Sequence, residues 1–170
     1  VENIDIGGPT LVKSAAKNYY DVVGITKIEQ YKELIAELNL YNGNTSLDFR
    51  ARMSREAFGE TASYDATIYN YFNLISKKTI FDNLIINAKL FKSLRYGENP
   101  HQIGAIYSND ENFNISSLQG KDLSFNNYND IFAGLDLLFS NLRLPSTVII
   151  KHANPCGVSS NKSSFQSFLN

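Results

Sequence analysis

The sequence predicts an α/β fold, because segments with helical spacing of apolar residues alternate with short β-branched runs along the chain. The clearest helical segments cover 28–39, 45–72 and 126–142, and the clearest strand is STVIIKH at 146–152. A hydrophobic fraction of 43% over 170 residues lies in the ordinary globular range. The chain is long enough for one ordinary core or two small ones.

Charge and cysteine content exclude several classes of protein. The 16 basic and 17 acidic residues leave a formal charge of -1, and no basic run offers the surface that nucleic acid requires. The single cysteine, Cys156, excludes an internal disulfide framework and a multi-cysteine zinc cluster, and it is typical of a reducing compartment. No apolar stretch approaches the roughly 20 residues of a membrane-spanning helix. We therefore expect a cytoplasmic chain without nucleic-acid or membrane partners.

The first elements are predicted as a helix, a strand and a second helix. The first helix runs from about Pro9 to Tyr19, since proline after two glycines suits a first helical turn. DVVGIT at 21–26 is typical of a strand, and 28–39 shows helical spacing again.

A long third helix is predicted from a capping box at Thr45 and Asp48 to about Phe72, after a turn at Asn42 and Gly43. Its apolar stripe is interpreted as core and not as a cofactor site. The stripe comprises Met53, Ala57, Ala62, Ile68 and Phe72.

The helical period is lost over 73–92, where a pair of lysines suggests a crossing between two domains. We therefore expect one domain part at 1–75, a connection at 76–91 and a second domain part at 92–170. Within the second part, IGAIYS is predicted as a strand, 126–142 as an amphipathic helix and STVIIKH as a buried strand.

The segment VIIKHANPCG places Lys151 and His152 at the end of this last strand, followed by Pro155 and Gly157. Strand ends face the ligand crevice in α/β folds. The two side chains share a pocket only if the chain leaves strand geometry here, as an NPCG turn would allow. An adjacent ammonium keeps a histidine neutral, which suits proton transfer. The alternative is a solvated lysine beside a histidine that caps the turn.

The segment LRYGENPHQ gathers Arg95, Tyr96 and His101 in an irregular stretch. Arginine binds planar anions through two hydrogen bonds, and tyrosine adds a flat face with a polar tip. These residues suit a nucleotide phosphate and base. The alternative is an ordinary polar surface loop.

The segment ENIDIGGPTLVKSAAKN places Asp5 before Gly7 and Gly8 at a helix start, with Lys13 and Lys17 further along. Backbone N–H groups at a helix start favour anions, and glycine allows close approach. The alternative is a pair of solvated lysines on one helix face.

Four motifs, in this order, resemble those of the bifunctional AICAR transformylase/IMP cyclohydrolase family: ENIDIGGPTLVKSAAKN, LRYGENPHQ, LSFNNYND and IIKHANPCG. The resemblance implies the end of a methylglyoxal-synthase-like cyclohydrolase domain joined to the start of a cytidine-deaminase-like transformylase domain. It implies formyl transfer from the co-substrate 10-formyltetrahydrofolate to AICAR, giving FAICAR, and cyclisation to IMP, with no metal required. It also implies a homodimer.

The resemblance assigns roles by position. For cyclisation, Lys17 matches a proton-shuttling lysine, and Asp5 and Gly7 match nucleotide contacts. For formyl transfer, the matching residues are Arg95 and Tyr96 (AICAR binding), Asn127 (a substrate contact), Lys151 (transition-state stabilisation) and His152 (general base and substrate contact). Tyr19 departs from the family pattern, where histidine is frequent.

The chain begins at Val1 without methionine and stops without a closing signal, so both ends are expected to be cuts. In the family, a phosphate grip lies upstream and most folate contacts lie downstream. We therefore expect the 170 residues alone to have neither activity. The alternative function is a non-catalytic nucleotide-binding or interaction module.

Overall fold

A computed structural model describes residues 1–76, 79–110, 113–115, 117–141 and 145–169. They form two compact units, Val1–Asn87 (unit 1) and Ala88–Asn170 (unit 2). In chain order the elements are α1 (Gly7–Lys17), α2 (Gln30–Leu40), α3 (Leu47–Ile75), β1 (Lys89–Ser93), β2 (Ala105–Ser108), α4 (Phe125–Asn141), β3 (Ser146–Lys151), β4 (Asn154–Ser160) and α5 (Ser164–Leu169). Helices and strands are both present, as the α/β prediction requires.

The core of unit 1 lies where α1 packs on α3. Ala16 of α1 and Met53 and Ala57 of α3 are buried, because both helices present small or flexible apolar side chains at helical spacing. The buried Ser54 hydroxyl donates to the Ala16 carbonyl oxygen at 2.7 Å. The end of α1 is therefore fixed on the first third of α3.

Two polar side chains hold the connections of unit 1. The Arg50 guanidinium donates to the carbonyl oxygens of Tyr19 (2.9 Å), Tyr20 (2.8 Å) and Thr45. The buried Gln30 side chain accepts hydrogen bonds from the backbone N–H groups of residues 26 and 27, ahead of α2. The Arg50 contacts, which we call the Arg50 clamp, join the segment after α1 to the start of α3.

Two predictions of element type and boundary in unit 1 are wrong in detail. Residues 22–26 belong to no strand, because no described strand pairs with them. The helix cap of α3 is Ser46 and not Thr45, since the Ser46 hydroxyl accepts from the Phe49 N–H at 3.1 Å.

The predicted stripe of α3 is core only in its first half. Met53 and Ala57 are buried, Ile68 is half-buried, and Ala62 and Phe72 are exposed. The reason is that α1 covers α3 only in part. The lysine pair at 77–78, on which the predicted crossing depended, lies outside the described residues.

Unit 2 contains two antiparallel hairpins. β1 pairs with β2, and β3 pairs with β4 with a register shift between Ile149 and Ile150. α4 and α5 pack on the second hairpin. Gly134 of α4 lies against the Ile150 side chain of β3, which a Cβ at position 134 would contact at 3.4 Å, an ordinary van der Waals distance.

An aromatic cluster connects β1 with α4. The Phe113 ring lies 4.8 Å from that of Phe91 in β1 and 6.1 Å from that of Phe132 in α4. Tyr128, one turn before Phe132, is buried beside it. Helix α4 is therefore the element that contacts both halves of unit 2.

The strand at 103–108 and the helix at 126–142 are confirmed, apart from residue 142, which lies outside the described residues. Two other expectations are wrong. β3 is not buried, since it belongs to a two-stranded hairpin and Ile149 is 51% exposed. NPCG is not a turn but the start of β4, which also carries the exposed Cys156. Within the described ranges, no helix has the length and apolar character that crossing a membrane demands.

Candidate functional site

Asp5 and the two glycines form the start of α1. The Asp5 carboxylate accepts a hydrogen bond from the Gly8 N–H at 3.0 Å, and the Asp5 N–H donates to the Tyr64 hydroxyl at 2.8 Å. A Cβ at position 8 would overlap this carboxylate, whereas one at position 7 would meet only open space and the same side chain at 4.0 Å. An internal anion thus already occupies the helix start that was predicted to attract a ligand.

A cavity of about 490 Å³ opens beside this helix start. Its volume lies in the range of small-molecule sites. The Thr26 hydroxyl oxygen is buried at its edge and has no hydrogen-bond partner among the described residues. The lining residues are Asp5, Gly8, Pro9, Val12, Ile25, Thr26, Glu60, Thr61, Ser63 and Tyr64.

Lys17 lies in the last turn of α1 and is exposed. It borders a shallow cleft together with Thr10, Lys13, Ser14 and Phe58. Lys13 forms an ion pair with Asp65, 2.6 Å between Nζ and Oδ2, whereas no ion pair joins Lys17 to another described residue. Gly7 and Lys17 stand ten residues apart on one helix, about 15 Å, so α1 does not bring the predicted unit 1 residues together.

Arg95 and Tyr96 lie side by side in the irregular segment after β1. The Arg95 guanidinium donates to the Tyr96 hydroxyl at 3.1 Å and lies 4.8 Å from the ring centroid. The pKa of Tyr96 is lowered below its ordinary value, first by its interaction with the Ser124 side chain and then by the hydrogen bond and the charge of Arg95. The pair presents one cation and one polarised phenol.

The start of α4 is closed by a capping arrangement of Ser124 and Asn127. Asn127 Oδ1 accepts from both the N–H and the hydroxyl of Ser124, each at 3.0 Å. No described residue accepts a hydrogen bond from the Asn127 amide nitrogen, which can therefore donate to a ligand. The Phe125 N–H donates to the Tyr96 carbonyl oxygen at 3.3 Å, which places the Arg95–Tyr96 pair at this helix start.

Lys151 and His152 lie at the turn between β3 and β4. The chain does leave strand geometry at this point, because His152 has φ +52° and Ala153 has φ +58°. The side chains of Lys151 and His152 are both exposed. The Ala153 N–H donates to Asp130 Oδ1 of α4 at 2.7 Å.

Unit 2 thus gathers its predicted residues around one helix. Asn127 and Asp130 are three residues apart on α4, a rise of about 4.5 Å. The first contacts the capping group beside Tyr96, and the second contacts the turn that carries His152. Cations and a helix start together favour an anionic ligand here.

Sequence reasoning named Gly8 beside Gly7 but assigned no role to Asp130, Ser124 or Tyr64. The spacing of Ser124 and Asn127 is that of a capping box, so the sequence did contain a signal for this pair. Asp130 and Tyr64 contact residues 23 and 59 positions away, and no local pattern indicates such contacts.

These features define a class: a two-unit α/β chain with a cavity of small-molecule size in one unit and, in the other, a helix whose first turns contact the segments that carry Arg95 and His152. Residues 15–170 match the family model described as AICARFT/IMPCHase bienzyme, and the chain belongs to this family. The family membership predicted from the four motifs is confirmed.

Curated relatives carry the name bifunctional purine biosynthesis protein PurH. The relative from Bradyrhizobium diazoefficiens is 45% identical over 164 residues, covering 93% of this chain and 31% of that protein. Those from Rhizobium rhizogenes and Rippkaea orientalis are 42% and 43% identical, covering 99% and 93% of this chain and 32% of each relative. The chain spans about a third of the length of the curated relatives it matches.

Proposed function

We propose that this chain supplies parts of two active sites in de novo purine biosynthesis: formyl transfer to AICAR, giving FAICAR, and cyclisation of FAICAR to IMP. Family membership and the names of the relatives support the pathway. The observation that carries the proposal is the gathering of Arg95, Tyr96, Asn127 and the His152 turn around the start of α4.

The two reactions are assigned to different parts of the chain. Residues 1–75 form the end of a methylglyoxal-synthase-like cyclohydrolase domain, 76–91 the connection, and 92–170 the start of a cytidine-deaminase-like transformylase domain. The division between the compact units falls inside the proposed connection.

In formyl transfer, Arg95 and Tyr96 hold AICAR, and Asn127 contacts it through its amide nitrogen. The amine of AICAR is conjugated with its ring and attacks poorly until it loses a proton, which His152 accepts. The amine nitrogen then bonds to the formyl carbon of 10-formyltetrahydrofolate, and Lys151 stabilises the negative charge that develops on the formyl oxygen. Tetrahydrofolate leaves with a proton.

In cyclisation, the carboxamide nitrogen of FAICAR bonds to the formyl carbon and one water is lost. Lys17 transfers protons in this step, and Asp5 and Gly7 contact the nucleotide beside the forming ring. The 490 Å³ cavity at Asp5 supports a ligand at this end of α1, and the absence of an ion pair at Lys17 among described residues leaves its ammonium available.

The active chain is proposed to be a cytoplasmic homodimer with AICAR, FAICAR and IMP as its ligands. The chain exposes 13179 Å², whereas two compact domains of half its mass would expose about 10,000 Å². Leu74, Leu84 and Ile103 are each more than 80% exposed. Apolar surface of this extent supports burial against further protein.

The test is a chimera in which this chain replaces the aligned segment of the Bradyrhizobium diazoefficiens relative. We expect both reactions in the chimera. His152→Ala should lower the rate of formyl transfer by about 10²- to 10⁴-fold and leave cyclisation intact, and Lys17→Ala should do the reverse. Lys32→Ala, an exposed lysine on α2, is the matched control.

Each outcome has a definite meaning. If His152→Ala leaves formyl transfer unchanged, the proposed base is wrong. If the chimera lacks both reactions while the chain still binds AICAR in a manner that Arg95→Ala weakens, the non-catalytic binding module is the correct function.

A further inference from the structure

We propose that Asp130 is a positioning residue for His152, and that it acts by holding the His152–Ala153 turn in its left-handed conformation through the Ala153 N–H. The effect of Asp130 on catalysis rests on the proposed function of His152. The contact between Asp130 and the Ala153 N–H does not depend on that function.

The turn has a conformation that its own sequence disfavours. Two-residue hairpin turns with positive φ at both central residues prefer Asn-Gly or Asp-Gly, because a Cβ makes the left-handed region costly. Here the central residues are His152 and Ala153, with φ of +52° and +58°. Such backbone persists only where the surrounding contacts determine it.

Two contacts within the hairpin help to hold the backbone of His152 and Ala153 in this conformation. The Lys151↔Asn154 pair closes the turn, and the Asn154 side-chain amide donates to the His152 carbonyl oxygen at 2.8 Å. Both contacts are local, so they fix the shape of the turn but not its position on the rest of unit 2.

Asp130 supplies the connection to another element. Its Oδ1 accepts from the Ala153 N–H at 2.7 Å, in a half-buried setting, across 23 residues of sequence. A carboxylate acceptor makes this hydrogen bond stronger than one between neutral groups. Because Asp130 lies one turn after Asn127 on α4, the contact sets where His152 stands relative to the substrate-contacting end of that helix.

The contact is tested in the chain itself by nuclear magnetic resonance. The chain has two histidines, so His101 serves as an internal reference for His152. We expect Asp130→Ala to speed hydrogen exchange of the Ala153 amide by tenfold or more and to move the imidazole signals of His152 but not those of His101. Asp130→Asn keeps an acceptor oxygen and should preserve most of the protection.

Asp136→Ala is the matched control, because Asp136 is an exposed aspartate on the same helix. If Asp130→Ala leaves Ala153 exchange unchanged, or if Asp136→Ala speeds it equally, the proposal is wrong. Should Asp130→Ala fail to fold, Asp130→Glu decides: it keeps the charge but displaces the carboxylate, so unchanged Ala153 exchange and His152 signals overturn the proposal.

The catalytic consequence is measured in the chimera. Asp130→Ala should lower kcat for formyl transfer at least tenfold, with KM for AICAR changed less than twofold and cyclisation unchanged. A rise in KM with constant kcat would contradict a positioning role. If the chimera carrying the native chain transfers no formyl group, the proposed function fails, while the exchange measurement still decides the Asp130 contact.

Discussion

Unit 1 and unit 2 differ in what their long-range polar contacts hold in place. In unit 1 the Arg50 clamp holds backbone segments that carry no predicted site residue, and the contact between Asp5 and Tyr64 holds a single predicted one. In unit 2 such contacts hold the proposed site itself, since the Phe125 N–H contacts the Tyr96 carbonyl oxygen and Asp130 contacts the turn that carries His152.

The difference shows which of the two proposed sites this chain assembles by itself. Around α4, one helix orders both the Arg95–Tyr96 pair and the His152 turn. Along α1, Gly7 and Lys17 stand about 15 Å apart on one helix, and Asp5 is committed to capping that helix. Stability and site geometry are therefore separable in unit 1 and linked in unit 2.

The largest expected effect concerns the Arg50 clamp. Arg50→Ala removes a charged donor from three carbonyl oxygens and should lower the free energy of unfolding of unit 1 by about 3 kcal/mol, with unit 2 unaffected. Urea unfolding followed through the methyl signal of Met53, the one methionine, reports on unit 1. The signals of His101 report on unit 2.

Arg55→Ala is the control for this measurement, because Arg55 is an exposed arginine of the same helix. Its effect should stay within about 0.5 kcal/mol. If the signals of Met53 and His101 show equal destabilisation, the two units unfold together, and the predicted difference between them is wrong.

An intermediate effect is expected at the strained turn. Ala153→Gly should stabilise unit 2 by up to about 1 kcal/mol, because glycine adopts φ +58° without a Cβ penalty. Ala133→Gly, in the interior of α4, should instead destabilise it by about 1 kcal/mol. Urea unfolding of both variants checks the opposite signs, and destabilisation by Ala153→Gly would show that the turn is not strained.

The smallest effect concerns two tyrosines whose pKa values shift in opposite directions. The hydrogen bond with Tyr20 raises the pKa of Tyr19 in unit 1, whereas Ser124 and then Arg95 lower the pKa of Tyr96 in unit 2. Because the folded pKa of Tyr96 lies below its unfolded value, its phenolate adds stability above the ordinary tyrosine pKa. That contribution is lost as pH falls through the folded pKa.

Titration of ring-carbon signals should therefore show Tyr96 ionising before Tyr19. Arg95→Ala should move the Tyr96 titration to higher pH and leave Tyr19 unchanged. Ionisation of Tyr19 before Tyr96 would remove this contrast between the units.

The sequence predicted the elements whose pattern is local. The long α3 and the amphipathic α4 follow from helical spacing, and family membership follows from four motifs in order. The false strand at 21–26 shows the limit, because β-branched residues favour extended backbone but a strand also needs a partner. Likewise, the sequence of the β3–β4 turn offers no glycine at 152 or 153, so its position was assigned to NPCG instead.

The site was predictable as a set of residue types and not as an arrangement. Lys151 and His152 stand out at a strand end, and both are exposed there. Which residue holds their turn depends on how α4 packs on the β3–β4 hairpin, and no local pattern in the sequence indicates that packing. Asp130 belongs to the motif LSFNNYND, but no spacing in the sequence indicates that it contacts residue 153.

The exposed thiol of Cys156 has a practical consequence for this chain. It lies on β4, three residues beyond Ala153, and no second cysteine competes with it. A thiol-reactive dye would therefore attach at one position, close to the turn, without any prior mutagenesis. The same thiol can join two molecules by air oxidation, so any measurement of the proposed homodimer requires a reducing agent to avoid counting covalent pairs.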